Sequence, residues 1–202
     1  MAKIYFNYSA MNAGKSTILL QASHNYHERG MKTVLLTAFM DDRFGRGRIS
    51  SRIGLAADAH TFDSDMDLRK FVGDMHQNEK VDCVLVDEAQ FLSPAQVWQL
   101  TAIADELKIP IMCYGLRTDF QGNLFPGSSA LLGVADDLRE IKTICWCGRK
   151  ATMNMRLGAD GKPVDEGEQV MIGGEESYIS VCRKHFKAKE QGATIKKSSS
   201  AA

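Results

Sequence analysis

This 202-residue chain has no excess of either charge: 25 lysines and arginines face 25 aspartates and glutamates. The balance argues against a dedicated nucleic-acid binder, which carries a basic surplus. It is silent about small charged ligands. No apolar run reaches the roughly 18 residues of a membrane span. The opening stretch MAKIYFNYSAM lacks a signal peptide's successive basic, apolar and cleavage regions and reads as a strand, so a cytoplasmic location is expected. No internal repeat is present. Cysteine is scarce and odd in number, five in all. In a cytosolic chain that speaks against a disulfide framework.

What is present is globular. Hydrophobic residues make up 44% and charged residues 25%, and the length suffices for one good core plus a small extra module. Lys3 to Tyr8 and Thr33 to Phe39 read as strands, and Thr17 to Arg29 between them has helical spacing closed by Gly30. Asp41 to Ala59, rich in Gly, Arg and Ser without a period, reads as a mobile loop. Met66 to Gln77 predicts a helix, Val81 to Val86 a buried strand. Ser93-Pro94-Ala95-Gln96 predicts a capped helix start running to about Leu107. PIMCYGL is a further strand, Ser128 to Ala135 a short helix, and Ile141 to Ile144 a strand. Strands alternating with helices imply an α/β fold with a mainly parallel sheet. After Ile144 the pattern becomes β-rich, with an Asp160-Gly161 turn signal and a strand expected over YISVCRKH. The expected domains are 1–144, an α/β nucleotide-binding core; 145–190, a small β module; and 191–202, a polar tail expected to be disordered.

YSAMNAGKST resembles a phosphate-binding loop but has Ser9 where the pattern G-x-x-x-x-G-K-[ST] wants glycine. A loop between strand and helix aims successive N–H groups at a polyphosphate, helped by the helix N-terminus. Gly14 admits close backbone approach, Lys15 reaches the β- and γ-phosphates, and Ser16 offers a hydroxyl to Mg²⁺. Ser9, Ala10 and Ala13 keep the loop narrow. The bland reading is a helix start with an incidental Gly-Lys-Ser, but the preceding strand and following helix supply the right context. Asp87, ending a buried strand, stands where such proteins hold the metal; otherwise it caps a turn. Glu88, one residue on, is placed to activate water or to orient an alcohol and take its proton. A glutamate's ordinary pKa of roughly 4.3 makes it a weak base for an alcohol, so proton transfer comes late. The residues alone leave water and alcohol both open.

Cys83 and Cys113 lie in apolar runs and read as core residues. Cys145 and Cys147 in one arm, Cys182 and His185 in the other, form a donor set suited to a closed structural zinc site. The alternative is three unrelated thiols and a surface histidine. His24, His27, His60 and His76 have no such company and read as solvated.

Taken together, SAMNAGKST, DEAQF, YGLRTDFQGNLFPGS, CWCGRKA and VMIGG–Y–SVCRKH occur in the order seen in type II thymidine kinases, and the chain resembles a bacterial member from about Lys3 to His185. The resemblance implies a RecA-like P-loop core with a zinc-bound lasso module. It also implies transfer of the ATP γ-phosphate to the 5′-hydroxyl of thymidine, giving dTMP in nucleotide salvage. Glu88 occupies the family's catalytic-base position. Ser9, Ala10, Met11, Asn12, Ala13, Gly14, Lys15, Ser16 and Thr17 match the ATP-phosphate loop. Asp87 and Gln90 match the adjoining nucleotide segment, and Asp41, Asp42 and Arg43 an acidic and arginine pair near the phosphates. Mg²⁺, arriving with ATP, is expected on Ser16 and Asp87.

The same resemblance places Met11, Phe91, Leu116, Phe120 and Phe125 around the base, although each also suits an ordinary core. Gln169, Val170, Met171, Ile172 and Gly173 match the lasso segment, and Tyr178 a nucleoside-contacting tyrosine. Zinc falls to Cys145, Cys147, Cys182 and His185. A homotetramer inhibited by dTTP is implied, with no nucleic acid or membrane partner. The competing class is a RecA-like ATPase acting on nucleic acid, in which Glu88 would activate water.

Overall fold

The computed structural model describes residues 2–39, 47–169 and 177–192. The chain begins with strand β1 (Ile4–Ser9), helix α1 (Lys15–His27) and strand β2 (Thr33–Ala38). Two short strands, β3 (Arg48–Ser50) and β4 (Ala56–Asp58), then pair antiparallel. β5 (His60–Phe62), α2 (Leu68–Asn78), β6 (Cys83–Val86) and a 3₁₀ turn (Ala89–Phe91) follow. Next come α3 (Pro94–Glu106), β7 (Ile111–Leu116), α4 (Pro126–Val134) and β8 (Asp137–Glu140). Six strands form one sheet in the order β5-β2-β6-β7-β1-β8, and every neighbouring pair is parallel. β1 and β6 are separated by β7.

The central strands are mainly apolar because both faces are covered. Val34, Leu36, Val84, Val86, Ile111 and Cys113 point to the side of α2, α3 and α4. Leu35, Cys83, Leu85 and Tyr114 point to the other side, against Leu19 and Leu20 of α1. Cys83 and Cys113 are core residues, as expected. The start of α3 carries the full capping box: Ser93 accepts from the Gln96 N–H, and the Gln96 side chain accepts from the Ser93 N–H.

Three sequence expectations are corrected. Residues 48–58 are a β-hairpin, not an irregular loop: Ile49 is buried against α1, and Ser51 closes the turn by accepting from the Leu55 N–H at 3.0 Å. The strand expected at Ile141–Ile144 is present only over Thr143–Ile144, outside the main sheet; the strand beside β1 is the unexpected β8, where pairing overrides a charged and half-exposed DLRE. YISVCRKH is not one strand. It ends as a strand at Val181, and Cys182 begins a helix.

The second module contains the pair β9 (Thr143–Ile144) and β10 (Lys150–Ala151) and a three-stranded antiparallel sheet. That sheet comprises β11 (Met153–Leu157), β12 (Pro163–Val164) and β13 (Tyr178–Val181), followed by helix α5 (Arg183–Ala188). Its core is small, centred on Cys145, Ala151, Met155, Val181 and Cys182. No described helix is long and apolar enough to cross a membrane.

Candidate active site and metal centre

β1 hands directly into the phosphate loop. Ser9 is the last residue of that strand, so the position does not need the positive φ that glycine would permit. Its hydroxyl accepts from the Lys15 ammonium at 3.3 Å and donates to the Ala10 carbonyl at 2.6 Å. Gly14 does need its glycine: it caps α1 at φ 83°, a left-handed conformation that disfavours side chains. Lys15, in the first turn of α1, is 8% exposed.

Across the loop, β6 is followed directly by Asp87, whose N–H donates to the Leu36 carbonyl of β2. The Ser16 hydroxyl donates to Asp87 Oδ2 at 2.8 Å, and the Glu88 N–H donates to Asp87 Oδ1 at 3.0 Å. Burial, then the neighbouring Glu88 charge, pushes the Asp87 carboxyl up to about 7; Ser16 and Lys15 pull the other way. Such an acid awaits a cation. Ser16 and Asp87 offer hard oxygen donors side by side, which suits Mg²⁺.

Glu88 sits at φ 51°, ψ 37°. A non-glycine residue held there costs about 1 kcal/mol or more, and such residues cluster at functional sites. The turn leaves Glu88 half-buried, on the wall of a cavity it shares with Lys15 and Ser16. Gln90 holds it there: fully buried, its amide donates to the Glu88 carboxylate while its oxygen accepts from the Leu116 N–H at 2.9 Å. Gln90 approaches so closely only because position 115 is glycine, where an added Cβ would lie 2.9 Å from the Gln90 side-chain oxygen.

Asn12 to Thr17, Asp87 and Glu88 line one cavity of about 240 Å³ with residues 49–53 of the β3–β4 hairpin. Lys15, Ser16 and the two carboxylates therefore face a common volume of phosphate dimensions. The hairpin also brings in Arg52, which sequence reading passed over. The only hint was an arginine between the apolar Ile49 and Ile53, and it acquires meaning once Ile49 anchors the hairpin on α1. Asp41, Asp42 and Arg43 lie outside the described residues.

The aromatic positions assigned to the base form two edge-to-face pairs. Phe91 and Phe125 are 5.9 Å apart between ring centres, and Phe120 and Tyr178 are 6.5 Å apart. Phe120 and Phe125 are buried, whereas Phe91, Leu116 and Tyr178 are partly exposed. Gln169 donates to Asp119 at 2.8 Å. Val170, Met171, Ile172 and Gly173 lie outside the described residues.

The two cysteine arms meet. One ligand atom from each of Cys145, Cys147, Cys182 and His185 lies within 4.8 Å of all the others. His185 Nδ1 is 3.3 Å from Cys145 Sγ and 3.5 Å from Cys182 Sγ; Cys147 and Cys182 Sγ are 4.0 Å apart. A tetrahedral zinc centre with bonds of about 2.3 Å to sulfur spaces its sulfurs roughly 3.8 Å apart, so the cluster could hold zinc as a closed, structural site. His185 Nε2 faces a Glu190 carboxylate oxygen at 3.6 Å, the outer partner common for metal-bound histidine. Trp146 stacks on the same ring at 4.2 Å.

Comparison with known proteins agrees along the chain. A family model described as thymidine kinase matches residues 2–186. The chain is 61% identical over 186 residues to a thymidine kinase of Agrobacterium fabrum, spanning 92% of this chain and 96% of that one. It is 60% identical over 187 residues to one from Ruegeria pomeroyi, spanning 93% and 94%. A Salmonella typhimurium thymidine kinase is 58% identical over 194 residues, spanning 96% and 95%.

Proposed function

The chain belongs to the thymidine kinase family, and from that premise we propose how its own residues carry out ATP-dependent phosphorylation of thymidine. The N–H groups of the loop ending at Thr17 cradle the ATP phosphates, and Lys15 reaches the β- and γ-phosphates. Ser16 and Asp87 hold Mg²⁺, which neutralises phosphate charge when bound. Glu88 orients the thymidine 5′-hydroxyl in line with the γ-phosphorus. The 5′-oxygen bonds to that phosphorus as its bond to the β–γ bridging oxygen breaks, ADP leaves, and the hydroxyl proton passes to the Glu88 carboxylate. Positioning and charge stabilisation supply most of the acceleration.

One observation carries this reading: Lys15, Ser16, Asp87 and Glu88 line a single cavity. Asp41, Asp42 and Arg43 are assigned to the same phosphates. Met11, Phe91, Leu116, Phe120, Phe125, Tyr178 and residues 169–173 are assigned to the nucleoside. Residues 1–144 form the nucleotide-binding domain and 145–190 the zinc-bound module. The protein works in the cytoplasm as a homotetramer with dTTP as feedback inhibitor, a reading supported by family membership. The decisive assay transfers label from γ-labelled ATP to a panel of deoxynucleosides, with a no-nucleoside control. Label in dTMP is expected. Label released only as inorganic phosphate would reject the kinase reading in favour of an ATPase.

A further inference from the structure

Met11 is held from outside the nucleotide-binding core. Its N–H donates to Asn154 Oδ1 at 2.8 Å, and its carbonyl accepts from the Ser180 hydroxyl at 2.5 Å. Asn154 and Ser180 are direct cross-strand partners in the β11–β13 pair, so two adjacent side chains of one sheet grip both polar groups of one residue. Asn154 is 2% exposed, and its amide also donates to the Thr118 carbonyl at 3.0 Å. Both of its side-chain hydrogen bonds thus join the second module to the first.

We propose that Asn154 and Ser180 are positioning residues that set the shape of the phosphate loop and thereby couple nucleotide affinity to the metal-held module. The inference rests on reading that loop as the ATP cradle. Fixing both polar groups of Met11 orients the peptide entering Asn12, which sits at φ 59°. A left-handed residue within a loop turns successive N–H groups toward a common point, the geometry that receives an anion. The phosphate cavity is lined from Asn12 onward and does not include Met11. The Met11 N–H therefore serves to hold the loop, and the N–H groups beyond it are left for phosphate. Asn12 receives a further, longer tie from the Thr143 hydroxyl at 3.4 Å.

The line back to the metal centre is short. Ser180 lies two residues before Cys182, within β13, and Val181 packs in the small core with Cys145 and Cys182. This core has few apolar residues, so its order depends on the donor set. Loss of the metal slackens β13, releases Ser180 from the Met11 carbonyl, and lets the loop sample shapes that do not cradle phosphate. Truncating either side chain has the same effect locally, because it leaves a polar group of Met11 without its partner.

The test is calorimetric titration of the intact, zinc-replete protein with a non-hydrolysable ATP analogue and Mg²⁺. Ser180→Ala is expected to weaken binding about five- to tenfold, and Ser180→Thr, which keeps the hydroxyl, to restore it. Asn154→Leu, similar in size but without either polar group, is expected to weaken binding more. Zinc content and thermal unfolding of each variant are measured alongside. Chelation should then weaken binding strongly in the wild type and by a smaller factor in the Asn154→Leu/Ser180→Ala variant, whose tether is already gone. A purely packing role predicts the same factor in both, and that result overturns the proposal. So does wild-type affinity in Ser180→Ala. Failure of the zinc-replete wild type to bind the analogue would instead remove the kinase reading itself.

Discussion

Asp87 offers the sharpest test of the site's electrostatics. Its carboxyl is 4% exposed and stands beside Glu88, and its pKa is raised from 3.8 to about 7. A raised acid favours the folded state's protonated form. Below about pH 4 the group is neutral in both folded and unfolded chains and contributes nothing. Between about pH 4 and pH 7 the unfolded carboxyl ionises freely while the folded one resists, so stability falls as pH rises; above pH 7 the loss is constant. At 1.36 kcal/mol per pH unit the full loss is at most about 4 kcal/mol, and relaxation of the site leaves about 2–4 kcal/mol. Asp87→Asn removes the charge and keeps the shape. The asparagine oxygen still accepts from the Glu88 N–H, and its amide donates to the Ser16 hydroxyl in place of the present reversed bond. In the absence of nucleotide and Mg²⁺, the variant should therefore be more stable than the wild type at pH 8. The gain in melting temperature should be on the order of 5–10 °C for a chain of this size. The difference should shrink toward zero by about pH 4. Kinase activity should be lost, because the carboxylate proposed to hold Mg²⁺ is gone. Thermal unfolding from pH 4 to 8.5 on both proteins checks this. Equal or lower stability of the variant at pH 8, or a difference that does not change with pH, would refute burial of the Asp87 charge beside Glu88 as the cause.

Glu88→Gln should keep ATP-analogue affinity while phosphoryl transfer falls about 10²- to 10⁴-fold; single-turnover transfer to thymidine measures it. Gly115→Ala places a methyl group against Gln90 and should cost about 1–3 kcal/mol. It should lower kcat more than it raises KM, because Glu88 loses its holder; steady-state kinetics with urea unfolding resolves the two effects. Cys182→Ser removes one donor from the four-donor set and should abolish stoichiometric zinc, read by elemental analysis of the purified protein.

The parts of this molecule that announce themselves in sequence are those whose cause is local. Gly14 follows a strand and precedes a periodic helix, Ser93 has Pro94 and Gln96 at the required distances, and Cys182 and His185 carry an ordinary ligand spacing. Their positions in the fold agree with that reading. Elements created by pairing do not announce themselves. His60–Phe62 is too short to show alternation and is a strand because β2 offers it an edge. Asp137–Glu140 is charged and is a strand because β1 needs a neighbour. At the site, Glu88 and Asp87 were legible as a strand-end pair, but the left-handed turn at Glu88 was not, since glutamate has no preference for it. Gln90 read as part of a nucleotide segment; that its amide also engages Glu88 and Leu116 was not legible. Arg52 and Asn154 gain their roles from a hairpin anchor and a distant strand, which no spacing along the chain encodes.

The stacking of Trp146 on His185 gives the molecule a built-in optical gauge. The indole lies nearly parallel to the imidazole, 13° between planes, so its emission should respond to whether that ring holds a metal ion. The chain's other indole, Trp98, sits on α3 and is 61% exposed; it contributes a steady, water-like background. Loading and stripping of the four-donor cluster can therefore be followed in real time by intrinsic fluorescence, with no label attached.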